Sequence, residues 1–153
     1  MQLKLSTGYA IKIIMYIAMK NKKVSSAELG EYLCIHRSFV FKVCKKLNDG
    51  GLIKNEVGIN GGFYLTLKPS QITIYNILTT IEDTLKINKC LEDENCCNNY
   101  TTENCPMKHF YNELQNLIEN HLKNTTIDDL LNQSKKCDFK FIPKEKLYDI
   151  KKI

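Results

Sequence analysis

The sequence predicts a mainly α-helical fold with one small β-hairpin. Three observations carry the prediction. Apolar residues recur at three- and four-residue spacing along most of the chain, capping residues stand just before those runs, and one glycine-rich turn separates two short β-prone runs. With 153 residues, 43% of them hydrophobic and 25% charged, the chain has the size of one globular domain, or of a small domain with an appendage. That apolar fraction rules out wholesale disorder. No stretch of about 18 uninterrupted apolar residues exists, so no bilayer span is expected. The apolar run over 9–19 is broken by Lys12, lacks a small-residue cleavage site and leads into Lys20, Lys22 and Lys23, so it does not read as a secretion signal. The expected location is the cytoplasm.

Taken in order, Ser6 and Thr7 are placed to cap a first helix whose apolar stripe is Tyr9, Ala10, Ile13, Ile14 and Ile17. Ser25, Ser26, Ala27 and Glu28 form a capping-box sequence: the Ser25 hydroxyl meets an orphan N–H while Glu28 reaches back. Leu29, Tyr32 and Leu33 then bury one face of a short second helix. A tight break at Cys34, Ile35 and His36 leads into a third helix that starts at Arg37 or Ser38, with Val40, Val43, Cys44 and Leu47 inward. Asn48, Asp49, Gly50 and Gly51 stop it, a glycine being available for the left-handed position. Runs 52–56 and 63–67 read as strands joined by the glycine-rich turn 58–62. Two short helices with a tight turn, followed by a hairpin, make a winged helix-turn-helix.

Pro69 and Ser70 close that unit. Thr73 caps a fourth helix with Ile74, Ile77, Leu78, Ile81 and Leu85 inward, and a polar, cysteine-bearing loop follows over 88–105. Pro106 suits the first position of a long helix that runs through His121 to about Lys123. Thr126 caps a short last helix over 127–131, and residues 135–153 read as a flexible tail. The long helix is apolar on two faces: Phe110, Leu114 and Leu117 on one, Tyr111, Ile118 and Leu122 on the other. A helix so broadly apolar needs two packing partners, its own domain and a second copy, which assigns it to a homodimer interface. The expected organisation is a winged helix-turn-helix DNA-binding domain at 1–70, a sensor loop with dimerisation helices at 71–134, and the tail at 135–153.

The net charge of +5 hides a polarised molecule. Residues 1–70 carry a local balance of +7, residues 71–134 one of −6, and the tail +4. A basic block attracts a polyanion whatever its sequence, although a solvated lysine-rich surface would give the same count. The helix pattern decides for double-stranded DNA. Opposite the buried face of the third helix stand Ser38, Phe41, Lys42 and Lys45, able to meet base edges, phosphates and a thymine methyl. Arg37 and Lys46 flank them as phosphate contacts, and Asn60 and Gly61 lie at the tip of a wing suited to the neighbouring minor groove.

Seven cysteines in a chain expected to be cytoplasmic argue for metal or redox chemistry rather than a disulfide framework. Cys34 and Cys44 fall on positions expected to be buried, and Cys137 lies in the tail. Cys90, Cys96, Cys97 and Cys105 share one loop of sixteen residues, with His109 four residues further on. Thiolates are soft ligands for iron–sulfur clusters or zinc. The loop lacks the short C-x(2–4)-C pair that zinc favours, and its wider spacing suits an iron–sulfur cluster somewhat better.

Four stretches carry a resemblance. Leu5-Ser6-Thr7-Gly8-Tyr9-Ala10, the wing Asn60-Gly61-Gly62-Phe63-Tyr64-Leu65, the helix over 72–83 and the cysteine loop before a long helix together resemble the IscR/NsrR family of bacterial regulators, over residues 1 to about 134. The resemblance implies a homodimeric winged-helix transcription factor that senses iron–sulfur status, nitric oxide, redox state or cysteine supply. It also implies cluster ligation by Cys90, Cys96 and Cys105. The fourth ligand is open. The histidine that 2Fe–2S members place three residues after the last cysteine is Lys108 here, which leaves His109 first and Cys97 second; the aspartate of 4Fe–4S members is Gly8. A 2Fe–2S cluster is therefore preferred over 4Fe–4S. The wing arginine of some relatives is Val57, so the operator does not carry over.

The leading expectation is a DNA-binding regulator controlled by an iron–sulfur cluster in the 90–105 loop. The alternative within the fold is a regulator without a cluster, acting through thiol chemistry or a protein partner. A small electron carrier is the alternative from another class. No P-loop, no G-x-S-x-G and no paired carboxylates point to an enzyme.

Overall fold

The computed structural model describes residues 3–58, 61–93 and 105–136. Helices α1 (Leu5–Lys20), α2 (Ser26–Leu33) and α3 (Arg37–Asp49) precede strands β1 (Ile53–Glu56) and β2 (Gly62–Leu65); α4 (Ile74–Ile81), α5 (Pro106–Asn124) and α6 (Ile127–Lys136) follow, with short 3₁₀ turns at Pro69–Gln71 and Lys89–Leu91. The fold is mainly helical with a single two-stranded antiparallel sheet, as its sequence periodicity predicts.

The first helix begins earlier than Ser6 and Thr7 suggest. Both lie inside its first turn, and the N-cap residue, Lys4, offers no side-chain bond. The end is capped from a distance instead. Glu82, just after α4, accepts the Lys4 N–H at 2.8 Å and the hydroxyl of Thr7, which is fully buried. A carboxylate there also meets the positive end of the helix dipole. At α2, Ser25 Oγ accepts the Glu28 N–H at 3.1 Å, half of the expected box. The Glu28 carboxylate turns instead to the Tyr16 hydroxyl, which donates to it at 2.9 Å, and to Lys20 at 3.4 Å.

Helix α3 buries Val40, Val43, Cys44 and Leu47, the set its spacing predicts. Gly50 keeps φ −78°, and Gly51 takes the left-handed turn at φ +74°. Cys34 differs from expectation. It is the C-cap of α2 at φ +54°, and that left-handed turn leaves the side chain half-buried instead of inside the core. In the hairpin, Ile53 pairs with Leu65 and Asn55 with Phe63, while Val24 bridges Phe63 from the other side.

The helices after the hairpin share the same core. Thr73 and Asn76 cap α4 reciprocally at 3.2 and 3.0 Å, and Thr126 and Asp129 do the same for α6 at 3.2 and 2.8 Å. The Ile74 N–H donates to the Thr125 carbonyl and the Ile127 N–H to that of Ile72, each at 2.9 Å, so the starts of α4 and α6 are stitched together. Ile72, Ile77, Leu78, Ile81 and Ile127 are buried in one cluster with Ala10, Ile13, Ile14 and Leu47. Helix α6 extends to Lys136, well past the expected end at 131. The rest of the tail, 137–153, lies outside the described residues.

Helix α5 stands apart. Pro106 occupies its first turn, as expected, and Gln115 is its only buried residue. Tyr111, Ile118 and Leu122 are half-buried, whereas Met107, Phe110, Leu114 and Leu117 are 55%, 55%, 36% and 68% exposed. These four recur at i, i+3, i+7 and i+10, one continuous apolar stripe facing away from the protomer.

Candidate nucleic-acid interface and sensor loop

The outward face of α3 is built by the packing of its inner one. With Val40, Val43, Cys44 and Leu47 locked inside, Ser38, Phe41, Lys42 and Lys45 stand in solvent on the opposite side. The His36 Nδ1 accepts the Ser38 N–H at 3.3 Å and lies 2.8 Å from its hydroxyl, which caps the helix and fixes Ser38 at its start. Arg37 Nε donates to Ser26 Oγ at 2.8 Å, and its guanidinium lies 5.6 Å from the centre of the Phe41 ring. Phe41, 45% exposed, meets Phe63 of β2 edge-on at 6.2 Å. Recognition helix, hairpin and the start of α2 thus form one continuous surface. Lys42 and Lys45 are exposed cations on it.

Lys46 is arranged differently. Its ammonium donates to the Ile81 carbonyl at 3.1 Å, tying α3 to the last turn of α4. The wing root is shaped by close approach. A Cβ on Gly61 would sit 2.2 Å from the Glu56 carbonyl oxygen, and one on Gly62 (φ +154°) 2.8 Å from that of Val24. Val57, at the start of the wing turn, is 92% exposed. Asn60 lies outside the described residues.

Of the candidate cluster ligands, Cys90 and Cys105 are described, and Cys96 and Cys97 are not. Cys90 is half-buried on the second 3₁₀ turn, its N–H donating to Asn88 Oδ1 at 3.1 Å. Cys105 is the half-buried N-cap residue of α5, and its carbonyl accepts the His109 N–H at 3.2 Å. His109 is exposed, one turn inside that helix. Among the described residues no three His, Cys, Asp or Glu side chains converge as a metal site. Cys44 is separate from this chemistry: full burial pushes its thiol up to about 12.

The family model for Rrf2, described as an iron-dependent transcriptional regulator, matches residues 3–133. The chain belongs to the Rrf2 family. NsrR of Halalkalibacterium halodurans, an HTH-type transcriptional regulator, is 30% identical over 134 residues, covering 86% of this chain and 90% of the relative. The structure of CymR, the global cysteine regulator of B. subtilis, superposes with a TM-score of 0.72 at 21% identity over 87% of this chain and 98% of that one. IscR of T. potens gives 0.71 at 18% identity over 92% and 93%. These two likenesses show the shared winged-helix fold. Rrf2 proteins are transcriptional regulators rather than enzymes, and DNA is the partner this implies. Among the described residues no helix is long and apolar enough to cross a membrane.

Within this Rrf2 chain, one contact set was invisible to sequence reasoning. Gln115 is 3% exposed on α5. Its Oε1 accepts the Ile87 N–H at 3.0 Å, while Nε2 donates to the Leu85 carbonyl at 3.2 Å and to Glu119 Oε1 at 2.9 Å. Lys123 at 2.9 Å and Lys86 at 3.4 Å complete the surroundings of Glu119. Lys123, then Gln115, hold that carboxyl at about 2, well below its ordinary 4.5. A glutamine in an amphipathic helix reads as a surface residue, and no local signal marks it otherwise.

Proposed function

We propose that this chain is a homodimeric Rrf2 regulator whose operator affinity is set by an iron–sulfur cluster held by Cys90, Cys96 and Cys105, with His109 or Cys97 as the fourth ligand. One observation supports it most. The two described cysteines that bound the loop are half-buried and sit on ordered elements, and one of them opens the helix that carries the exposed apolar stripe. Soft thiolates of this kind suit iron. When bound, a cluster supplies an iron centre that reacts with oxidants and nitric oxide. The chain's own residues do the rest. Lys42 and Lys45 neutralise phosphates, Ser38 and Phe41 meet base edges, and Arg37 is braced by Ser26 at the groove wall. Paired α5 stripes set the separation of two recognition helices, ideally about one DNA turn. Whatever state holds Cys90 and Cys105 thereby biases that separation.

Anaerobic purification followed by an ultraviolet–visible spectrum and promoter-DNA binding, before and after nitric oxide or air, tests this reading. Visible absorbance with bound sulfide, lost together with a change in DNA affinity, is the expected result. A colourless protein whose affinity is indifferent to added ferrous iron and sulfide overturns it. Thiol chemistry without a cluster is the second reading, favoured by Cys34, a half-buried thiol in the turn between α2 and α3. It predicts a colourless protein whose DNA affinity responds to oxidation and recovers with a thiol reductant.

A further inference from the structure

Gln115 does more than fill a place in a helix. Its side-chain amide bonds the carbonyl of Leu85 and the N–H of Ile87, the two groups that a neighbouring β-strand would bond in an extended segment. The donor and acceptor demands leave one orientation of the amide, and Glu119 fixes the remaining donor. Cys90 follows Ile87 by three residues. The other end of this segment is held as well: the Ile81 carbonyl accepts from Lys46 of the recognition helix, and Glu82 accepts from Lys4 and Thr7 of α1. A strap over 81–90 therefore joins three places, namely α3, the thiol of Cys90 and the outward helix α5. Gln115 is the one fully buried side chain on α5, and it stands beside the half-buried Tyr111, Ile118 and Leu122.

We propose that Gln115 is the positioning residue that makes the placement of Cys90 and the placement of α5 a single variable, with Lys46 carrying the same strap to the recognition helix. The inference deepens the sensing reading above and rests on it for the physiological signal. A buried amide satisfied by two backbone groups is costly to break, so the strap and α5 move together or the bonds are lost. Coupling of this kind is reciprocal: what loosens α5 loosens Cys90.

The test uses full-length protein carrying Gln115→Met, which keeps the length and removes every hydrogen bond. Its first readout is anaerobic alkylation by iodoacetamide, followed by mass spectrometry at Cys90 with Cys34 as internal reference. Losing one or two net hydrogen bonds from the opening equilibrium is expected to speed Cys90 about tenfold and leave Cys34 unchanged. The second readout is the ratio of promoter affinities with and without anaerobic treatment with ferrous iron and sulfide. That ratio is expected to fall to within about twofold of unity while the visible absorbance persists. Wild-type Cys90 kinetics in a folded Gln115→Met protein overturn the proposal, as does an undiminished affinity ratio where the wild type responds to iron and sulfide. If the wild type shows no iron–sulfide response but Cys90 still speeds up in the variant, the sensing reading fails and the positioning role stands. Should Gln115→Met not fold, Gln115→Glu keeps the acceptor for Ile87 and loses the donors. Cys90 there is expected to react faster than in the wild type, and an unchanged rate sinks the proposal.

Discussion

Cys44 and Glu119 show how differently two side chains answer to their surroundings. Cys44 is fully buried on the inner face of α3, and burial alone raises its thiol to about 12. It behaves as a small apolar residue, so it should resist alkylation in the native protein while Cys34 reacts. Cys44→Ala is expected to cost less in a denaturant titration than Cys44→Ser, which buries a hydroxyl and should lose about 1–3 kcal/mol. Glu119 is held low by Lys123 and Gln115, near 2 against an ordinary 4.5. The folded state binds this proton less readily than the unfolded chain does. Its stabilisation is therefore complete above about pH 4.5 and fades as the pH falls toward 2. Denaturant titrations of wild type and Glu119→Gln should differ at pH 7 and converge only as the pH falls to about 2.

Helix α3 illustrates how one element serves two media. Its inner face was legible because four apolar residues repeat with the helical period, and the outer face follows by subtraction. Lys42 and Lys45 project into solvent, and in the proposed DNA complex they neutralise phosphates. Replacing both with alanine is expected to weaken binding to all DNA sequences alike and to flatten the slope of log affinity against log salt by about 4 in the proposed dimer, about 1 per lysine. Lys46 lies on the same helix, but its ammonium is spent on a backbone carbonyl 35 residues away. Lys46→Ala should therefore change the salt slope less than either neighbour does. Thr73 and Thr126 were readable as caps, because the capping pair is local, and Thr126→Ala is expected to cost about 1 kcal/mol in a thermal or denaturant titration. Thr7 is no local cap for the opposite reason: its partner is Glu82, 75 residues on.

At the scale of the molecule, one core gathers α1, the helix-turn-helix, the hairpin, α4 and the start of α6, while α5 touches it through Leu122 and turns an apolar stripe toward solvent. A second copy is the occupant proposed for that stripe. Leu114→Glu with Leu117→Glu places like charges against each other across a two-fold contact. Sedimentation of this variant is expected to give a monomer with native helix content and weakened promoter binding. A double variant that remains dimeric would move the interface elsewhere.

The sequence by itself determined the order of helices and strands, the inner faces of α1 and α3, that of α4 through Ile81 though not Leu85, which lies past the end of the helix, the caps at Thr73 and Thr126, the glycine wing and membership of a regulator family. All of these depend on residues a few positions apart, where periodicity and capping act directly. Tertiary structure alone decided that Glu82 caps α1, that Lys46 reaches Ile81, that Cys34 escapes the core and that Gln115 is buried against the strap before Cys90. Each is a polar contact or a turn whose partner is brought near only when apolar faces pack. Hydrophobic periodicity says which side of a helix goes inward, and it is silent on which polar group will be waiting there.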